Sequence, residues 1–389
     1  MTLMIVTLIA LATLATSHAG FTPAETSAIE GSFRQFATTK QAHGGALVVT
    51  DGTNTITTTF GARNEKGDPF LATTPSRIAS VSKALTATAV MKLIQDGKAS
   101  LDDPVIPILN RERKRPLVPK DPAMDKITIR DLLRHTAGFT GDAKILWNQF
   151  VISEKYKTLL PVPPVSLTGV AFIDQNLGSP PGTTFQYSNT GYLVLGRIIE
   201  KLSGKSYEDY VWEVVLKPAG IAKEEAYVGH GKKLHDNESR YWDIVGRMGF
   251  SIYPEDNRKK VPFPNGAYTV ETMDSYGGWV MSAKALVQFQ LALPKILSPE
   301  MQQLMVARPP TARSSASYTG LGFVVLPESK GGFTIEHGGD LEGLNASIMY
   351  RANGQVIAVV FNTGGPANDN SWSHTYVNSV LCPILNQMD

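Results

Sequence analysis

The chain has 389 residues, of which 42% are hydrophobic and 19% charged, with a formal net charge of +2. That is ample apolar material for one large domain or two intimate ones, and it excludes a disordered chain or a polyanion-binding one driven by net charge. The single cysteine, Cys382, has no partner for an internal disulfide, and its apolar neighbours read as packing.

Leu3 to Ala15 form an apolar run of signal-peptide length, too short to span a bilayer comfortably, and Ser17-His18-Ala19 puts small residues at both positions a signal peptidase reads. Residues 1–19 are therefore expected to be a signal peptide cleaved before Gly20, giving a secreted protein, extracellular or periplasmic according to source. No Lys or Arg precedes the run, which suits a eukaryotic export signal better; an uncleaved membrane anchor is the alternative. After cleavage no stable membrane insertion is expected.

Phe21 to Ala37 reads as a helix, and Gly45–Thr50 and Thr55–Phe60 as strands joined at Asp51-Gly52-Thr53-Asn54. From about Ser80 to Leu297 the chain is mostly helical segments and Pro/Gly-rich loops. Arg111-Glu112-Arg113-Lys114-Arg115, flanked by Pro107, Pro116 and Pro119, reads as a solvated loop, so no nucleic-acid partner is expected. Strands return at Leu321–Leu326, Phe333–Glu336, Ala346–Tyr350 and Val356–Phe361, with Asn353-Gly354 marking a hairpin between the last two. Trp372 to Leu385 reads as a closing helix. One α+β sheet assembled from both chain ends, with terminal helices on one face and a helical insertion on the other, fits this order. Asn237-Glu238-Ser239 and Asn345-Ala346-Ser347 are glycosylation acceptors if the export route is eukaryotic; Asn345 is the weaker because it falls in a strand.

The chemistry begins at Ser80-Val81-Ser82-Lys83. Ala84 to Ile94 sustain a helix up to Gly97, and residues three apart on a helix share a face, so Ser80 and Lys83 point into one space. A desolvated lysine can take the serine proton. At the helix's first turn the positive dipole end would face an oxyanion. Ser82 lies about 100° around the helix from Lys83 and is the poorer nucleophile.

Tyr187-Ser188-Asn189 follows a turn-rich segment and is read as an extended loop facing the cleft. Tyr187, its pKa lowered by Lys83, would shuttle the serine proton, and Asn189 would hold a substrate carbonyl. The same spacing in Tyr376-Val377-Asn378 falls in the closing helix and reads as packing. His337-Gly338-Gly339 is read as the end of a strand where a substrate can approach the backbone; His43-Gly44-Gly45 is read as a turn.

Serine with lysine three residues on, then tyrosine-x-asparagine, then a basic residue-x-glycine on a strand, in that order, resembles the signature of the serine β-lactamase and penicillin-binding protein superfamily. The nearest likeness is the branch of class C β-lactamases, D-alanyl-D-alanine carboxypeptidases and related esterases. Leu132 through Gly138, Pro181 through Gly196 and Gly277 through Ala283 support it, and it covers nearly all the chain after residue 19. The resemblance implies an antiparallel sheet with sheet part about 20–79 and 298–389 and helical part about 80–297. It also implies Ser80 as nucleophile, Lys83 as its amine partner and Tyr187 as acid/base, with Asn189 orienting substrate. His337 takes the place of the basic strand residue, followed by Gly338 and Gly339. Backbone N–H groups of Ser80 and Asp340 would form the oxyanion hole. No cofactor is implied, and His135, His230, His235 and His337 show no paired metal-ligand spacing. His135 reads as a local hydrogen-bonding residue and Trp279 as core or cleft wall.

Family members that bind carboxylate-bearing substrates usually follow the basic residue with threonine, glycine and a hydroxyl residue. Here Gly338 replaces the threonine and Asp340 the hydroxyl, and an ionised aspartate repels a carboxylate. No Ser-Asp-Asn triplet is present, which disfavours the class A β-lactamase arrangement. The expectation is a hydrolase acting on neutral or basic small-molecule or peptide-like acyl substrates, an esterase or amidase. The alternatives are a β-lactamase or D-alanyl-D-alanine carboxypeptidase, an acyltransferase, or a non-catalytic binding protein on the same fold. If Asp340 turns its side chain away, only its N–H matters.

Overall fold

The computed structural model describes residues 20–312, 317–329, 331–366 and 371–388; the leader expected at 1–19 lies outside them. Strands from the two chain ends pair directly, with Gly45 opposite Phe361 and Thr50 opposite Val356. Among the described residues this antiparallel sheet has seven strands. Their order is Thr55–Gly61, Gly44–Thr50, Val356–Phe361, Leu344–Tyr350, Phe333–Leu341, Val324–Pro327 and Tyr318–Thr319. The architecture is α+β.

Side chains alternate across a strand, and both sheet faces are covered, so Gly44–Thr50 is buried throughout. Leu47 and Val49 join Ile357, Val359 and Phe361 beneath helix Pro23–Thr39 and the closing helix. Ala46 and Val48 join Ile348, Ala358 and Val360 against helices Ser82–Gln95 and Ala283–Ile296. The first of these two helices lies inside the molecule, with even its Ser82, Lys83, Thr86 and Thr88 buried. The closing helix is regular over Trp372–Tyr376 and Cys382–Asn386, with a wider π turn at Val377–Leu381 between them. Pro383 has no N–H to donate back to the preceding turn, which accounts for the irregularity.

Three features depart from the sequence reading. Strand Phe333–Leu341 does not end before His337: it runs on through Gly338, Gly339 and Asp340, paired with Ser347, Ala346 and Asn345. Its other neighbour, Val324–Pro327, reaches only as far as Glu336, so the edge beyond is open. Glycines that suggested a terminus instead permit close approach. A Cβ at Gly339 would lie 2.3 Å from the Ile78 carbonyl oxygen and 2.9 Å from the Ser80 nitrogen.

The second is a small sheet within the helical part, in which Trp279–Met281 lies between Ser76–Arg77 and Ala226–Val228. Trp279 is core, and its backbone N–H donates to Ser82 Oγ at 3.1 Å, which occupies the alternative serine structurally. The third is a buried charged cluster around Arg77. Its guanidinium donates to the carbonyls of Pro264 at 2.8 Å and His230 at 2.9 Å, stacks over Tyr241, and faces Glu238 at 3.9 Å. This ties the long segment 230–268 to the strand that leads into Ser80.

Other readings meet their places. The Arg111–Arg115 stretch is exposed, and Tyr376 is buried with its hydroxyl 2.9 Å from Ser32 Oγ. The turn read at His43-Gly44-Gly45 is corrected: only His43 is a bend residue, stacked on Trp242, while Gly44 and Gly45 already pair in the strand opposite Gly61 and Phe60. Asn345 is buried, donating to Thr363 O and accepting from Trp372 N, whereas Asn237 is exposed. Among the described residues no helix is long and apolar enough to cross a membrane.

Candidate active site

Strand Ser76–Arg77 passes through a buried turn into a short 3-10 segment, Ala79–Val81, and then into helix Ser82–Gln95. Ala79 stands in the left-handed region at φ 44°, a conformation that costs a residue with a Cβ about 1–3 kcal/mol. That turn presents the Ser80 hydroxyl to the cleft at the open edge of the sheet. As an early residue of a helical turn, Ser80 has no intrahelical carbonyl for its N–H. The close packing of Gly339 sets the backbone of Gly339 and Asp340 against that of Ser80, where the oxyanion donors are expected.

Lys83 Nζ lies 3.0 Å from Ser80 Oγ, and the Tyr187 hydroxyl donates to the same oxygen at 2.8 Å. Lys83 also donates to Asn189 Oδ1 at 2.7 Å and to the Tyr276 carbonyl at 2.6 Å. The rings of Tyr187, Tyr192 and Tyr276 surround it. Burial lowers its pKa to about 7, with the negative Asp142 partly opposing the shift. A neutral amine has two hydrogens for Asn189 and Tyr276 and a lone pair for the Ser80 proton.

Two expected details are corrected here. The Tyr187 pKa is raised, not lowered: burial of the phenol end dominates, the Ser80 hydrogen bond opposes it, and Asp142 and Asp340 add to the rise. Asn189, read in an extended loop, is the first residue of helix Asn189–Ser203, and its side-chain oxygen is already committed to Lys83.

That helix start is held by a residue the sequence did not single out. The Asp142 carboxylate accepts from the backbone N–H of Asn189 at 2.6 Å and of Thr190 at 3.0 Å, and from the hydroxyls of Thr190 and Ser188. A carboxylate at a helix N-terminus meets unpaired N–H groups and the positive dipole end. His135 braces the other side: its Nδ1 accepts from Ser188 N at 3.1 Å, and its ring stacks on Tyr187 with centroids 4.5 Å apart. Burial, then the charge of Lys83, holds His135 well below the usual imidazole range. Asp142 lies 46 to 48 residues from its partners, so no local pattern announced it.

His337 occupies the strand position expected to be basic, but burial and Lys83 push its pKa down to about 4. Its Nδ1 lies 2.7 Å from Gly338 O, a contact that requires a proton on Nδ1 and leaves Nε2 as acceptor. The role of cation is thereby corrected to that of a neutral imidazole. Asp340 stays turned toward the cleft, where its Oδ2 accepts from Ser371 Oγ at 2.9 Å. The cleft over the nucleophile measures about 320 Å³ and is lined by Ser80, Tyr187, His337, Gly338 and Asp340, together with Ser371 and His374. These last two come from the start of the closing helix and carried no motif. Among the described residues, no three His, Cys, Asp or Glu side chains are grouped to hold a metal ion.

The family and the fold are met in known proteins. The family model described as Beta-lactamase matches residues 29–377. A putative penicillin-binding protein of Bacillus subtilis is 27% identical over 351 residues, covering 88% of this chain and 75% of that protein. A probable fimbrial assembly protein of Dichelobacter nodosus is 34% identical over 245 residues, covering 60% of this chain and 52% of that protein. In that pairing, the aligned part amounts to about half the relative's length. Among solved structures, a D-amino acid amidase from Ochrobactrum anthropi superposes with TM-score 0.71 at 20% identity, covering 94% of this chain and all of that one. A penicillin-binding protein homologue from Pyrococcus abyssi gives TM-score 0.65 at 25% identity, covering 91% of this chain and 77% of that one. Sequence match over most of the chain and shared architecture lead to one statement: this chain belongs to the β-lactamase family and has the serine β-lactamase/transpeptidase fold.

Proposed function

We propose that the protein hydrolyses ester or amide bonds through an acyl-enzyme on Ser80. The observation that carries this reading is the convergence of Lys83 Nζ and the Tyr187 hydroxyl on Ser80 Oγ, at 3.0 and 2.8 Å, with Lys83 near neutrality. In the acylation step the Ser80 proton passes to the amine as Oγ bonds to the substrate carbonyl carbon. The resulting oxyanion is met by backbone N–H groups at Ser80 and Asp340. Collapse breaks the ester or amide bond, and the proton returns to the leaving oxygen or nitrogen through the Lys83–Tyr187 unit. Water then repeats the sequence on the acyl-enzyme and frees the acid.

A neutral His337 and an acidic Asp340 support neutral or basic substrates over the carboxylate-bearing β-lactams. The leader-like sequence at 1–19 supports export. Fluorophosphonate labelling and pre-steady-state kinetics with p-nitrophenyl acetate test the reaction class. The expected result is a burst near one equivalent and a label lost in Ser80→Ala; labelling that survives this substitution would sink the proposal. A cephalosporin turned over far faster than the aryl ester would overturn the substrate preference.

A further inference from the structure

A second, larger cavity of about 420 Å³ adjoins the nucleophile cleft, within the size range of small-ligand sites. Its walls include Trp147, Ile252, Phe263, Tyr268 and Leu341, and Asp340 lines both it and the cleft over Ser80. Among the described residues, neither space is lined by a lysine or arginine. Glu342 adds a second carboxylate to the larger cavity and looks back toward Arg247 at 3.8 Å. Among the described residues the Asp340 carboxylate receives one hydrogen bond, from Ser371, and its Oδ1 is enclosed without a partner. An apolar cavity beside an under-compensated carboxylate is complementary to a cation carrying an apolar group.

We propose that Asp340 receives the ammonium group of an amino-acid amide or ester whose apolar side chain occupies the Trp147–Phe263–Tyr268 cavity. The inference rests on the hydrolase reading and names the substrate class of the same site. An α-ammonium sits on the carbon next to the scissile carbonyl. Asp340 is also the residue whose N–H is assigned to that carbonyl's oxygen, so one residue meets both features of the substrate. The scissile bond is then the one immediately after a free amino-terminal residue. Burial raises the carboxyl pKa to about 6, against the opposing effects of Ser371 and His374; Tyr187 and His337 are the other titratable groups lining the cleft. A bound ammonium would offset the solvation that burial removes.

The test compares phenylalanine p-nitroanilide, in both enantiomers, with its N-acetyl counterpart. For at least one enantiomer, kcat/KM is expected to favour the free amine by at least about tenfold. That ratio should collapse toward one in Asp340→Asn and survive in part in Asp340→Glu, whatever either change does to both rates together. A second readout uses the wild-type protein alone: phenylalaninamide should slow fluorophosphonate labelling of Ser80, and N-acetylphenylalaninamide should not. Equal rates or equal protection with the acetylated compounds, or an unchanged ratio in Asp340→Asn, would overturn the proposal while Ser80 labelling leaves the hydrolase reading standing. Absence of any Ser80 labelling would instead remove that reading, and this proposal with it.

Discussion

The His135 imidazole lies against the Tyr187 phenol with ring centroids 4.5 Å apart, and the same imidazole accepts the N–H of the intervening Ser188. One neutral ring therefore fixes both the plane of the tyrosine and the chain that carries it. His135→Phe keeps an aromatic face but leaves the Ser188 N–H unpaired in a buried place. We expect kcat to fall about 10- to 100-fold from displacement of the phenol, with stability lowered by about 1–3 kcal/mol. Steady-state kinetics and urea unfolding measure the two effects; an unchanged kcat would remove the bracing role.

The amine of Lys83 must be neutral to take the Ser80 proton. Acylation should therefore rise with pH through a midpoint near 7, and Tyr187 stays protonated across that range because its pKa is raised. Asp142 opposes the lowering of the lysine pKa, so Asp142→Asn should move the midpoint to lower pH. Pre-steady-state acylation rates against pH in both proteins would show it; a shift toward higher pH would contradict this account.

The same burial has a stability signature. With the folded pKa near 7 and the ordinary value at 10.5, the unfolded chain binds the extra proton between those limits. Wild-type stability relative to Lys83→Met should rise with pH across that window, by up to about 1.4 kcal/mol per unit, and be level below it. Denaturant titrations at several pH values decide the point. A flat difference would mean that Lys83 stays charged in the fold.

Gly339→Ala places a methyl group 2.3 Å from Ile78 O, in the wall of the nucleophile turn. Movement of that turn by about 1 Å should reduce kcat about 100-fold. Circular dichroism should show the sheet retained, and burst amplitude should show fewer competent sites. Normal turnover would mean that the turn and strand are not held in contact.

Arg77→Ala leaves Glu238 buried and facing no guanidinium. Removal of one partner from a buried pair destabilises a fold by about 3–5 kcal/mol, and urea midpoints would register the loss. A change below about 1 kcal/mol would show that water reaches the site and that the cluster does not tie segment 230–268 to Ser80.

Much of this molecule could be read from local pattern. The Gly45–Thr50 strand, the Asn353-Gly354 hairpin and the run following Lys83 each carry their own periodicity or turn chemistry. Ser80 and Lys83 are three residues apart, so backbone geometry alone sets them together. Strand Phe333–Leu341 was cut short at His337 because paired glycines resemble a terminus when the neighbouring turn at Ile78–Ser80 is unseen. Asp142, Ser371 and His374 gave no site signal, since each acts on residues distant in the chain or only through the cleft that folding creates; His135 read as a local hydrogen-bonding residue, and only the fold shows that it braces Tyr187.

Sequence by itself determined which chemical groups are present, their order, and the secondary structure that local periodicity enforces. Tertiary structure decided their protonation and their company. An imidazole in water titrates close to neutral pH, and enclosure beside Lys83 holds the one at position 337 neutral well below that. A carboxylate at position 340 becomes a specificity determinant only where the fold opens an aromatic cavity beside it. Charge depends on the surrounding dielectric and on groups brought from far along the chain, and neither exists until the sheet has closed.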